Sequence, residues 1–216
     1  MTEQNFEQMR RAMVASQLRT TGVNDPRVVA AMGAVPRERF VPAERCALAY
    51  ADAPVPLGHG RQLNPPMALG RMLTEARLDG HERALVSGTA TGYSAAVLAH
   101  LVREVVALEE VPELLDFARG ALAGSQVELV AGQLTEGHPA GAPYDFILID
   151  GAVEHVPQAI ADQVADGGEI SLALIEDNVT RLCVGRVVGG ALGTTCYTDA
   201  AAAVLPGFEK PRGFIF

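Results

Sequence analysis

The stretch Ala84-Leu85-Val86-Ser87-Gly88-Thr89-Ala90-Thr91-Gly92-Tyr93 runs from a short apolar segment through a glycine loop into a helical pattern. Its local pattern makes Ala84 to Ser87 a strand and Tyr93 to Leu101 a helix. A strand, loop and helix in that order suit a nucleotide, because glycines let backbone amides approach a ligand closely at a helix N-terminus. In a doubly wound sheet the matching crevice lies beyond the carboxyl ends of the strands. The same Gly-x-x-x-Gly turn also serves as a plain structural link, and it lacks the G-x-G-x-x-G spacing of the dinucleotide fingerprint.

Toward the C-terminus, short apolar runs alternate with helical stretches, as in a parallel sheet covered by helices. Val105 to Leu108 is a strand followed by a helix from Pro112 to Leu122, and Val127 to Val130 is a third strand. Phe146 to Ile149 is apolar throughout and therefore central. A helix after Val156-Pro157 and a strand from Glu169 to Leu174, past a Gly167-Gly168 turn, continue the alternation. Arg181 to Val188 and Thr194 to Thr198, separated by Gly189, Gly190 and Gly193, read as an antiparallel hairpin at the sheet edge. Toward the N-terminus, Phe6, Met9, Met13 and Leu18 recur near a helical period, and Asp25-Pro26 supplies an N-cap and a first-turn proline for a helix over Arg27 to Met32. Pro36, Pro42, Pro54, Pro56, Pro65 and Pro66 break the next segment into a structured loop with short helices. The division this suggests is residues 1–80 as a helical and loop segment covering the active site and 81–216 as the core.

The 216 residues suit one domain or one domain with an appendage. Half the composition is hydrophobic and a fifth is charged, the balance of an ordinary globular chain rather than a disordered one. The net charge of −9 and a single lysine, Lys210, argue against nucleic acid as a partner, because counterion release needs clustered cations. No stretch reaches the roughly 20 apolar residues of a membrane span, and Met1 to Arg11 is polar where a signal peptide needs an apolar core, so the expected location is cytoplasmic. Cys46, Cys183 and Cys196 are far apart and have no metal-ligand spacing, so they are expected as buried free thiols, with no metal site. Oligomeric state stays open.

Glu109 stands 17 positions after Gly92, just past the second strand, where a carboxylate can accept from both hydroxyls of a ribose. It also reads as an exposed acid favourable to the dipole of the helix that follows. Asp150 closes the Phe146 to Ile149 strand, either as a chemical group or as a turn residue before Gly151.

Taken over nearly the whole chain, these residues resemble the protein-L-isoaspartate O-methyltransferases, which use S-adenosylmethionine. The likeness is carried by Val35-Pro36-Arg37-Glu38 and Phe40-Val41-Pro42, by Pro56-Leu57-Gly58, by Gly88-Thr89 and Gly92-Tyr93 with Ala95 to Leu98, by Glu109 and Pro112-Glu113-Leu114, and by Pro143-Tyr144-Asp145 and Val156-Pro157. It implies a Rossmann-like class I methyltransferase fold: a mostly parallel central sheet, an N-terminal helical segment and a C-terminal antiparallel hairpin. It further implies methyl transfer from S-adenosylmethionine to a carboxylate of isoaspartyl-damaged protein. The cofactor residues carried over are Gly88, Thr89, Gly92, Tyr93, Glu109, Gln133 and Leu134, and the catalytic positions are Asn64 and Asp150.

The departures fall inside the motifs. Val86 stands where the family has an acid at the end of the first strand, and Ala90 where it has the loop's middle glycine. The family's Gln-Thr-Ile-Ser-Gln-Pro corresponds to Arg61-Gln62-Leu63-Asn64-Pro65-Pro66, so Asn64 takes the serine position. Gln133 replaces an acid, and Asp150 replaces a small or hydroxyl residue. Two other readings follow from these changes: a noncatalytic descendant serving as a binding or regulatory module, and an O-methyltransferase with a different carboxylate or hydroxyl acceptor.

Overall fold

The computed structural model describes residues 5–210. The first helix, α1 (Phe6–Ala12), is capped by the Asn5 side chain, and the chain then widens into a π-type turn over Met13–Leu18, which buries Met13 and Leu18. In α2 (Pro26–Ala34) the Asp25 carboxylate accepts from the amides of Arg27 and Val28 and proline fills the first turn, as the sequence predicts. The proline-broken stretch contains 3-10 turns at Arg37–Phe40 and Ala43–Leu48. It also holds two elements that its composition conceals. One is a ribbon of β1 (Val55–Gly58) and β2 (Arg61–Leu63), and the other is α3 (Pro66–Glu75). Prolines permit both, since Pro56 lies on a ribbon edge and Pro66 at a helix start.

The core strands are β3 (Arg83–Ser87), β4 (Glu104–Glu109), β5 (Glu128–Ala131), β6 (Tyr144–Val153), β7 (Val164–Glu176), β8 (Val179–Val188) and β9 (Ala191–Asp199), interleaved with α4 (Tyr93–Leu98), α5 (Pro112–Ala121) and the short α6 (Gln158–Ala161). They form one sheet in the order β5-β4-β3-β6-β7-β8-β9. Pairing is parallel from β5 to β7 and antiparallel for β8 and β9. The order reverses at β3, whose neighbours are β4 and β6, so the switch-point crevice lies past the ends of those three strands. A hydrophobic cluster joins Met13, Val23, Met32, Leu63 and Leu73 of the N-terminal segment to Val86, Val97, Ala107 and Leu148 of the core.

Three expectations change. Gly167-Gly168 makes no turn before a strand. It lies inside β7, where the register against β6 jumps between Tyr144–Val164 and Phe146–Glu169, and thus forms an irregularity that absorbs extra residues. Gly193 belongs to β9, and the hairpin turn is Gly189-Gly190 alone, both with positive φ, the two-residue turn whose twist suits a hairpin. Cys183 and Cys196 face each other across β8 and β9 and form a disulfide, which leaves Cys46 free. Counting cysteines along the chain could not reveal this pair, because the hairpin register brings them together.

After β9 the chain turns back over the sheet. Ala203 to Leu205 lies parallel to the end of β6: the Ala152 amide donates to the Ala203 carbonyl at 2.7 Å, and the Leu205 amide to the Ala152 carbonyl at 2.9 Å. Leu205 and Phe208 are buried. The apolar end from Phe214 to Phe216 lies outside the described residues. Among the described residues no helix is long and apolar enough to cross a membrane.

Candidate active site at the switch point

The glycine loop keeps the shape its sequence suggests. Gly88 and Gly92 have φ of +84° and +96°, and a Cβ on Gly92 would stand 2.7 Å from the Leu122 side chain, so glycine is required for the packing of α4 on α5. Ala90 also sits in the left-handed region, at φ +50°, a conformation costing a non-glycine residue about 1 kcal/mol. A charge-assisted hydrogen bond holds it there, from the Ala90 amide to Glu109 Oε2 at 2.7 Å. Val86 is fully buried in the core, an environment that suits valine.

Glu109, at the end of β4, is fully buried. Its Oε1 accepts from the amides of Glu110 and Val111 at 3.0 and 3.1 Å, and from Arg61 Nη1 at 2.6 Å. Arg61 comes from β2, is itself buried, and donates through Nη2 to the Gly88 carbonyl at 2.9 Å. Every oxygen of the expected ribose acid is therefore engaged within the chain.

Asp150 does not close its strand or turn before Gly151, as its sequence suggests, because β6 runs on to Val153 and both residues lie inside it. Its Oδ1 accepts from Asn64 Nδ2 at 2.7 Å, and Asn64 Oδ1 accepts from the Ala203 amide at 2.8 Å. Asn64 thus donates to a carboxylate of its own chain. Burial pushes the Asp150 carboxyl up from its ordinary range, against the pull of the nearby Ser94 hydroxyl, the Asn64 amide and the Arg61 and Arg37 guanidinium groups. Arg37 is wholly buried 4.6 Å above the Tyr93 ring and donates to the carbonyls of Ala49 and Asn64. Burial lowers its pKa, opposed by Tyr93 and Asp150, and burial raises that of Tyr93. Arg37 Nη1, Thr89 Oγ1, Tyr93 Oη and Ser94 Oγ are buried without hydrogen-bond partners.

The remaining expected residues lie around this pair of acids. The amides of Gly88 and Thr89 both donate to the Leu108 carbonyl at 3.1 Å. Leu134 is buried and its carbonyl accepts from Ser87 Oγ, whereas Gln133 beside it is exposed. Sequence reasoning missed Arg61, Arg37 and Leu205. Arg61 carried a signal, an arginine where the resembled segment has glutamine; Leu205 carried none.

Glu109 beside a left-handed glycine loop at a switch point has the chemistry of a nucleoside site. Side chains of the same chain lie close against it. Two methyl carbons of Leu205 would stand 3.0 and 3.1 Å from a Cβ on Gly88, Arg61 Nη2 would stand 3.2 Å from it, and the Leu205 Cβ would stand 2.8 Å from a Cβ on Gly151. Leu205 and Arg61 therefore pack directly on the loop and strand glycines of this crevice.

The fold and the strand-end acid define a Rossmann-like class I methyltransferase. A solved protein-L-isoaspartate O-methyltransferase superposes with a TM-score of 0.77 over 94% of this chain at 21% identity, and this chain spans 66% of that one's length. A second, from Plasmodium falciparum and solved with S-adenosyl-L-homocysteine, superposes with a TM-score of 0.75 at 18% identity, covering 94% of this chain and 99% of that one. The family profile described as Protein-L-isoaspartate(D-aspartate) O-methyltransferase matches residues 9–184, and the chain belongs to that family. Its relatives include Protein-L-isoaspartate O-methyltransferase 1 of Rhodopseudomonas palustris, 40% identical over 80% of this chain and 72% of the relative. Protein-L-isoaspartate O-methyltransferase 2 of Marinobacter nauticus is 37% identical over 95% and 96%.

Proposed function

We propose that this protein transfers a methyl group from S-adenosylmethionine to a carboxylate of isoaspartyl-damaged protein or peptide. The observation that carries this reading is the family match over residues 9–184, which includes the glycine loop and Glu109. The cofactor supplies an electrophilic methyl on a sulfonium. An acceptor carboxylate is already nucleophilic at neutral pH, so what remains for the protein is to align the partners and exclude water. Glu109, the Gly88-Thr89 and Gly92-Tyr93 backbone, Gln133 and Leu134 are the residues we assign to the cofactor side. Asn64 is assigned to the acceptor side as a donor, and Asp150 positions its amide through the 2.7 Å hydrogen bond.

The test is methyl-ester formation on an isoaspartyl peptide and on its aspartyl isomer. Ester on the first alone is expected, and ester on neither would overturn the reading. A second reading, a binding module without methyl transfer, is favoured by the Arg61–Glu109 pair, which consumes the ribose acid. Ester formed by the wild-type chain would exclude it.

A further inference from the structure

We infer that Arg61 and Leu205 form a single built-in latch that occupies the cofactor crevice, so that cofactor binds only after both have left it. The inference rests on the assignment of that crevice to S-adenosylmethionine. Three observations carry it.

The first is chemical mimicry. A carboxylate placed to accept from two ribose hydroxyls accepts instead from a guanidinium, and that group also caps the Gly88 carbonyl on the loop itself. The second is steric. The Leu205 side chain rests on Gly88, just past the end of β3, and on Gly151 within the neighbouring β6, and is buried there. The third is connection. Asn64 lies three positions after Arg61, and its Oδ1 accepts from the amide of Ala203, two positions before Leu205, so one hydrogen bond ties together the two segments that carry the blocking groups.

The stretch from Arg61 to Asn64 is the second strand of the ribbon and the residue after it. Gly58, His59 and Gly60 at its tip are exposed, and nothing lies within 4 Å of a Cβ placed on either glycine. Shifting residues 61–64 outward withdraws the guanidinium from Glu109 and releases the Ala203 amide in the same movement. Beyond Ala203, the strap is held to β6 by the two Ala152 hydrogen bonds and by the Glu154 amide donating to the Phe208 carbonyl. The apparent cofactor affinity is then the intrinsic one reduced by the fraction of molecules with the latch open.

The experiment is calorimetric titration of the full chain with S-adenosylhomocysteine, in wild type, Arg61→Gln and Leu205→Ala, with hydrogen exchange at the Ala203 and Leu205 amides read in the same samples. Gln at position 61 restores the residue of the resembled segment and can still donate to Glu109, and Leu205→Ala removes the methyl carbons packed on Gly88, so the two variants perturb the fold differently. Either variant is expected to bind at least tenfold more tightly than wild type, and saturating ligand is expected to accelerate exchange at Ala203 and Leu205 in wild type. Equal affinity in all three proteins overturns the latch and leaves the methyl-transfer reading standing. If none binds, that reading falls and the latch falls with it.

Discussion

Glu109 and Asp150 lie on strands that flank β3, both buried, and both are met by the same four-residue stretch, yet they are neutralised in different ways. Glu109 meets a formal positive charge and three backbone amides. Asp150 meets a neutral amide at hydrogen-bond distance, with the guanidinium groups of Arg61 and Arg37 farther off, and burial raises its pKa. A buried carboxylate needs either a counterion with donors or a proton. The first acid has taken the counterion that a nucleoside does not supply, and in doing so has closed the crevice.

Breaking the ion pair should cost most. Arg61→Ala leaves Glu109 charged and buried, and should lower unfolding free energy by about 3 kcal/mol, the lower end for a buried pair because three amides stay in place. Adding Glu109→Gln should recover part of the loss, whereas strictly additive losses in denaturant unfolding would show that the two side chains do not interact. Leu205→Ala should cost about 2 to 3 kcal/mol, as for a buried leucine whose neighbours partly collapse. A loss below about 0.5 kcal/mol would mean that the strap is not packed on the loop.

Asn64→Ala strips Asp150 of its donor and leaves the Ala203 amide unpaired, at a cost of about 2 kcal/mol near neutral pH. The loss should shrink in acid, where a protonated Asp150 no longer needs the amide. A pH-independent loss would assign the cost to Ala203 alone. The smallest effect is the Asp150 titration itself. Because its folded pKa is raised, the native state holds the proton more tightly. Stability from this group is present below the ordinary value of 3.8 and is lost as pH rises through the folded value. Subtracting the pH profile of Asp150→Asn from that of wild type should isolate that fall, and a flat difference would place Asp150 in contact with water.

The parallel strands from Arg83 onward, the Asp25 cap and the glycine loop are local signals, legible because apolar period, capping chemistry and positive φ act over a few residues. Glu109 was legible for the same reason, being tied to the strand that precedes it. The ribbon at Val55–Leu63 and the helix at Pro66–Glu75 were hidden by prolines that usually break structure and here sit at an edge and a helix start.

By itself, then, the sequence determined an α/β chain of the protein-L-isoaspartate O-methyltransferase kind with Glu109 and Asp150 carried on its strands. Only the tertiary structure decided what those acids touch. Arg61 reaches Glu109 across 48 positions, Asn64 reaches Asp150 across 86, and the Ala203 amide reaches Asn64 across 139. No local propensity encodes contacts at such separations. They arise when burial leaves a charge or an amide without water, and the nearest complementary group in the packed chain takes its place.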